Sequence, residues 1–449
     1  MKRLALAFAG ASLAAALPCA SLAAAPVALG PRVTTSHLQG DAGTAVLQTA
    51  SGAPVASLEL WFRAPSTGFG KEPVVSLARL AAQAVAASKP IVGDSLGEAV
   101  SAVGGKLAIT VYGDSVAVSA LVPANAATAI AKAMTVAYFS PVLTADGLKA
   151  AARDVEADAV VAAYDPDVVV RNATFEQLFS AGPQRYPALG TVKEIAAISF
   201  ADVQSFATRA FRVQNAVLSV AGTVDATLLA SVSSGRPASA DAAAEAPVAS
   251  TPATAPAPVT KPFDAAACGF GWAGPPIADE RAATTMDFIA DYLFRSETGV
   301  VARAVAAKFP SASLSGQFVT LNDPGVMYLG FSGVRPDDVR PLVDAALAAL
   351  RAPLDPARFE AARDAFEYHI LADLQTPSQI ADNFGWYAVE GNLAYAPGAN
   401  DATGPYFEAA NAMTPASVAE VAKRYLSGPP VVVTLSPEAK TKSAAGTGT

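Results

Sequence analysis

Hydrophobic and polar positions alternate from Val55 to Phe62, the period of two that marks a half-buried strand. Leu77, Leu80, Ala81, Ala84 and Val85 then recur at the spacing of one helix face. Val103-Gly104-Gly105 leads into an apolar run, Leu107 to Tyr112, and Gly113-Asp114 turns that run into Val116 to Val122. A turn between two such runs predicts a hairpin. Helices are expected next, near 124–139 and 144–164. Strands followed by helices predict an α+β fold, with helices packed on one face of an antiparallel sheet.

The pattern occurs twice. Ser199 opens a helix carrying Val203, Phe206, Ala207 and Ala210, and the run Asn215 to Gly222 follows as a strand. Thr414-Pro415 opens a second such helix with Val418, Val421, Ala422 and Tyr425, followed by the run Pro430 to Ser436. Ser199/Thr414, Val203/Val418, Ala207/Ala422 and Val217/Val432 share one offset of 215 residues. Each helix starts on a hydroxyl that can cap it, and Pro415 stands at the first helical position, where its missing N–H costs nothing. Two tandem homologous domains are the simplest account.

Between the copies, 235–262 is rich in Ala, Pro, Ser and Thr and reads as a linker with little to add to a core. The expected parts are a leader over 1–23, an N-terminal domain over 24–234, a C-terminal domain over 263–437 and a disordered tail over 438–449. The leader reading rests on basic Lys2 and Arg3, the apolar run Leu4 to Leu17, and Ser21-Leu22-Ala23, the small-x-small pattern of a cleavage site. Pro18 before Cys19 does not suit a lipidation signal, so a soluble periplasmic or secreted protein is expected.

Composition then narrows the chemistry. At 449 residues and 52% hydrophobic, the chain has ample material for cores. Its net charge of −8 lacks the basic footprint that nucleic acid requires, and no internal run suits a membrane span. Loss of Cys19 with the leader leaves Cys268 alone, so no internal disulfide is expected. Cys268 lies in an apolar run that reads as a strand entering a core, which predicts an inert, buried thiol.

Several sequence pieces, in this order, resemble the insulinase and pitrilysin family, which includes the mitochondrial processing peptidases. They are the strand ending in Leu60-Trp61-Phe62-Arg63-Ala64, the helix over 76–87, Val103-Gly104-Gly105 before a hairpin, Phe139-Ser140-Pro141, Tyr186-Pro187-Ala188-Leu189-Gly190-Thr191, the strand from Asn215 to Asp225, and Ile380-Ala381-Asp382 through Leu426. The resemblance implies two tandem domains that join another such pair to enclose peptides. Peptide-cutting members carry H-x-x-E-H on the first helix: two histidines one turn apart bind zinc and the glutamate is general base. Here that helix places Arg79 and Gln83 where the histidines would be and Ala82 where the base would be. A guanidinium stays protonated and cannot be a ligand, and a methyl group cannot take a proton. The downstream acids Glu156 and Asp158 stand about where the resemblance implies the further metal-site acid and, without the histidines, read as a solvated or partner-facing helix face. His37 and His369, the only histidines, stand alone in their segments. Some metal-free members lend an arginine and a tyrosine from the second domain. The matching positions here are Ala306 and Ala312, with Arg303 one turn away.

Other chemistry finds less support. Gly93-Asp94-Ser95-Leu96-Gly97 matches an esterase-like pattern, yet no histidine is placed to activate Ser95, which reads as a helix cap. There is no P-loop and no Rossmann glycine pattern. Asp165-Pro166-Asp167 lacks calcium-loop spacing. The resemblance therefore implies a non-catalytic subunit without a cofactor, zinc being expected only in an active partner of the same family, the two forming a peptide-degrading chamber. The alternatives are a standalone periplasmic module for peptides or unfolded protein segments and, less favoured, a serine hydrolase using Ser95.

Overall fold

The computed structural model describes residues 33–39, 42–49, 52–91, 93–225, 227–233, 244–246, 248–398 and 404–437. The expected leader and tail lie outside them. The chain runs β1 (Val33–Gln39), β2 (Ala42–Thr49), β3 (Val55–Arg63), α1 (Leu77–Ala87), α2 (Leu96–Ala102), β4 (Lys106–Val111), β5 (Ser115–Pro123), α3 (Ala127–Phe139), α4 (Ala145–Tyr164) and α5 (Pro166–Leu178). Next come β6 (Phe179–Ala181), α6 (Val192–Ala196), α7 (Phe200–Ala210), β7 (Ala216–Gly222), α8 (Thr227–Ser233), β8 (Thr251–Pro252) and β9 (Val259–Pro262). The second half continues with β10 (Ala267–Ala273), α9 (Glu280–Phe294), α10 (Val300–Lys308), β11 (Ser313–Val319), β12 (Val326–Ser332) and α11 (Pro336–Leu350). It ends with α12 (Pro356–Ala372), α13 (Pro377–Val389), α14 (Pro405–Asn411), α15 (Pro415–Leu426) and β13 (Val431–Ser436).

Local chemistry sets many of these boundaries. Side chains and backbone cap each other reciprocally at Ser95/Glu98, Thr191/Glu194, Ser199/Asp202, Thr376/Gln379 and Thr414/Ser417. Proline occupies the first turn of α5, α11, α12, α13, α14 and α15.

The architecture is α+β, and the two sheets repeat one topology. The first has the order β1-β2-β7-β3-β5-β4 and the second β11-β12-β10-β13-β9. Apart from the added β1, strand maps onto strand. In each sheet one pairing is parallel, β2 with β7 and β13 with β9, while the others are antiparallel. The 215-residue offset holds for α7 and α15, whose N-caps are Ser199 and Thr414. In the strand that follows it holds for position but not for facing. Val217 pairs with Trp61, on the face turned to α13, whereas Val432 pairs with Phe270, on the face away from α5. α15 runs one residue longer than α7 and the connection after it is one residue shorter, so the two strands start at the same offset yet turn opposite faces.

One face of the first sheet is covered by its own helices, with Leu58, Leu60, Phe62, Leu218 and Val220 buried against α1, α3 and α7 residues. The opposite face is covered from the other half: Val46, Trp61, Ala117 and Val217 cluster with Ile380, Ala381 and Phe384 of α13. The exchange is reciprocal. Val170, Ala173 and Leu178 of α5 pack on Ala267, Tyr328, Val431 and Val433 of the second sheet. Glycine permits both approaches. A Cβ on Gly385 of α13 would lie 2.0 Å from Trp61 Nε1, and one on Gly269 of β10 would lie 2.5 Å from Val170 and Thr174 of α5.

Two sequence expectations change accordingly. The described part of 235–262 is not a bare tether: β9 is the fifth strand of the second sheet, so that sheet begins before residue 263. Upstream, Glu245 pairs with Arg209 and Arg212, and β8 pairs with β6. An Ala/Pro/Thr-rich segment need not supply side-chain bulk to be ordered, because the backbone bonds of a strand suffice.

Candidate functional site

α1 starts from Ser76, a non-glycine residue in the left-handed region (φ 72°), whose hydroxyl accepts a hydrogen bond from Gly190 N at 2.8 Å. Leu77, Ala78, Leu80, Ala81, Ala82, Ala84, Val85 and Ala86 are buried, which leaves Arg79 and Gln83 as the side chains at the surface of the helix middle. They lie one turn apart and so share a face.

The fold packs α1 against α4 and thereby brings two of the sequence-selected residues together. Arg79 Nη2 donates to Asp158 Oδ2 at 2.7 Å. Asp158 is therefore paired within the chain, while its side chain stays 49% exposed on the solvated face of α4. Ala82 is fully buried, and its carbonyl accepts the hydroxyl of Tyr138 at 2.8 Å. Burial holds the Tyr138 phenol far above its ordinary pKa, so it stays neutral. Gln83 and Glu156 are half-buried, and Glu156 lies two residues from Asp158, hence on another face of α4.

A zinc ion does not fit this arrangement. One position holds a cation already paired with the nearby acid, the next a buried methyl, the third a neutral amide. Among the described residues no group of three or more His, Cys, Asp or Glu is placed to hold a metal. His37 sits on β1 near the carbonyl of Gly43, and His369 on α12 against Asp291 at 2.9 Å.

Other sequence candidates resolve simply. Ser95 Oγ donates to Glu98 Oε2 at 3.0 Å inside a capping box, with no histidine in the pair. Cys268 is buried on β10, and desolvation pushes its thiol up to about 12, so it holds its proton. Arg303 and Ala306 are exposed on α10, and Ala312 is half-buried beyond it.

The sequence reading missed a set of buried acids where the halves meet. Glu59 of β3 lies under α13, 3% exposed, and its carboxyl is pushed up to about 8 by burial, with Asp382 of α13 adding repulsion. The signal was present: Glu59 stands among Leu58, Leu60 and Trp61 in a run whose alternate face is also covered. Arg63 donates twice to the carbonyl of Val389 at the end of α13, between Asp114 and Glu390. Burial raises both of those acids, Asp114 to about 6. Asp287 of α9 accepts the Tyr406 hydroxyl at 2.9 Å and is raised to about 7 by burial. It lines a cleft of about 530 Å³ that also involves Tyr112, Arg171, β11 and α13.

Residues 197–366 match the family described as the Peptidase M16 inactive domain. No curated protein sequence matches the chain. Solved structures share its fold over most of its length. A protease from Helicobacter pylori superposes with a TM-score of 0.77 at 14% identity, covering 91% of this chain and all of that one. The peptidase M16 inactive domain from Pseudomonas fluorescens gives 0.70 at 16% identity, covering 90% and 98%. A chain of complex III2 from Candida albicans, solved with Inz-5 bound, gives 0.71 at 14% identity, covering 90% and 95%. The α1 positions that the sequence resemblance sets against H-x-x-E-H hold Arg79, paired with Asp158, the buried Ala82 and Gln83. Over residues 197–366 the chain matches the M16 inactive-domain family, and over most of its length it has the fold of these structures.

Proposed function

We propose that the chain is a non-catalytic, exported subunit that pairs with an active, zinc-bearing homologue and supplies half of a peptide-enclosing chamber. The Arg79–Asp158 ion pair carries this reading. On this reading the α1–α4 helix pair stands where a metal would be held, and the Arg79–Asp158 ion pair, with Ala82 beside it, leaves no base there to activate water. The match to an inactive-domain family supports the same reading, as does the likeness to a chain of a larger complex. Among the described residues no helix is long and apolar enough to cross a membrane.

Peptides would be held through backbone. β4 and β11 are the outer strands of their sheets, each paired on one side only, and an extended chain can add to such an edge. The same edges favour the second reading, a standalone peptide-binding module. Zinc analysis and pull-down from a periplasmic extract separate the cases. The purified chain is expected to hold far less than one equivalent of zinc, to cleave no peptide alone, and to capture a homologue bearing an intact H-x-x-E-H. Stoichiometric zinc with cleavage by the chain alone would overturn the proposal, and a stable monomer with no such partner would favour the module.

A further inference from the structure

Arg171 is an exposed cation near the middle of α5, the helix laid on the opposite half's sheet. Its guanidinium lies 5.6 Å from the centre of the Phe175 ring. Among the described residues no carboxylate forms an ion pair with it. Asp167, one turn back on the same helix, instead accepts the hydroxyl of Ser332.

Two clefts meet at this side chain. The larger runs along Gly316–Thr320 at the edge of β11, and its charges are largely matched: Arg295 bonds Asp291 and Asp373, His369 bonds Asp291, and Tyr406 donates to Asp287. The smaller, about 150 Å³, lies where β4 ends, between Thr110–Gly113, Phe175, Gln184 and Tyr186, and Arg171 is the one charged residue in its lining. An open strand edge binds an extended chain through N–H and C=O groups that every peptide has. A planar guanidinium at the end of such an edge adds a group-specific contact, because its fork matches a carboxylate. The smaller cleft has no acid in its lining to repel one.

We propose that Arg171 anchors the carboxylate of an extended peptide laid along the outer edge of β4. This rests on the peptide-holding reading above and adds the group that is read. The carboxylate has two sources, a peptide C-terminus or an Asp or Glu side chain, with the same chemistry toward the guanidinium.

The test uses the full chain and fluorescein-labelled nonapeptides of alternating threonine and valine, with binding read by fluorescence anisotropy. One peptide ends in a free carboxylate, a second is amidated, and a third is amidated with one internal aspartate. The wild-type chain is expected to bind the free acid about tenfold more tightly than the amide, the scale of one charge-assisted contact. Arg171→Gln is expected to erase that difference while leaving binding of the amide unchanged, and Arg171→Lys to restore part of it. Recovery of affinity by the internal aspartate assigns the preference to carboxylates in general, and its failure assigns it to the C-terminus; either supports the anchor. Equal binding of acid and amide by the wild type overturns it, as does an equal loss of both peptides in Arg171→Gln. Absence of binding by all three peptides would instead defeat the peptide-holding reading on which it rests.

Discussion

Glu59 offers a measurable consequence of how the halves are joined. Its carboxyl sits between β3 and α13, with Asp382 approaching from the helix and the Ser57 hydroxyl donating to Oε1 at 3.4 Å. In the folded chain it holds its proton up to a pKa of about 8, against an ordinary 4.5. The folded state therefore binds a proton that the unfolded state has released between those values. The stability associated with the neutral group is complete below pH 4.5 and is lost as pH rises through 8. Each pKa unit corresponds to roughly 1.4 kcal/mol, so at pH 7 the penalty is about 3 kcal/mol and at pH 5 less than about 1 kcal/mol. Glu59→Gln keeps the shape of the neutral acid and removes the titration. Urea unfolding of both proteins at pH 5 and pH 7, followed by tryptophan fluorescence, measures the double difference. Trp61 and Trp386 lie beside the site with ring centroids 6.0 Å apart, and so report on it. The variant is expected to gain up to about 3 kcal/mol over wild type at pH 7 and little at pH 5. A gap between the proteins that does not change with pH would refute the reasoning, because Glu59 would then be solvated or paired in the folded chain.

Three further outcomes follow from the same structure. Gly385→Ala would force a methyl group to within 2.0 Å of Trp61 Nε1, and thermal unfolding is expected to show a loss of about 1–3 kcal/mol or more from overpacking. Asp158→Asn frees Arg79, yet Asp158 is 49% exposed, so the expected cost in chemical denaturation is below about 1 kcal/mol. Cys268, with its thiol raised to about 12 and no exposed surface, is expected to react with a thiol reagent such as dithionitrobenzoate only after denaturant is added; fast labelling of the folded chain would contradict its burial.

Much of the local structure was legible because it is written at short range. The strand at Val55, the helices ending at Phe139 and Tyr164, and the caps at Ser95, Ser199 and Thr414 depend on residues within one or two turns. The repeat was legible for the same reason, since each copy carries its own caps and periodicity. That Arg79 and Ala82 cannot serve as metal ligands follows from residue chemistry alone, whatever the fold.

What sequence reading could not supply was which surfaces meet. Nothing local says that α5 leaves its own half to cover the second sheet, or that α13 returns the exchange, because the determinants are Gly269 and Gly385, whose meaning lies in the atoms opposite them. Nothing local pairs Arg79 with Asp158 or isolates Arg171 between two strand ends. The opposite facing of β13 relative to β7 is likewise invisible to an offset counted along the chain. The sequence by itself determined which segments are helix or strand and which residue types stand on the exposed face of α1. Only tertiary packing decided where charge is matched, where it is left unpaired, and which acids are kept from water, because desolvation and pairing depend on neighbours distant in sequence.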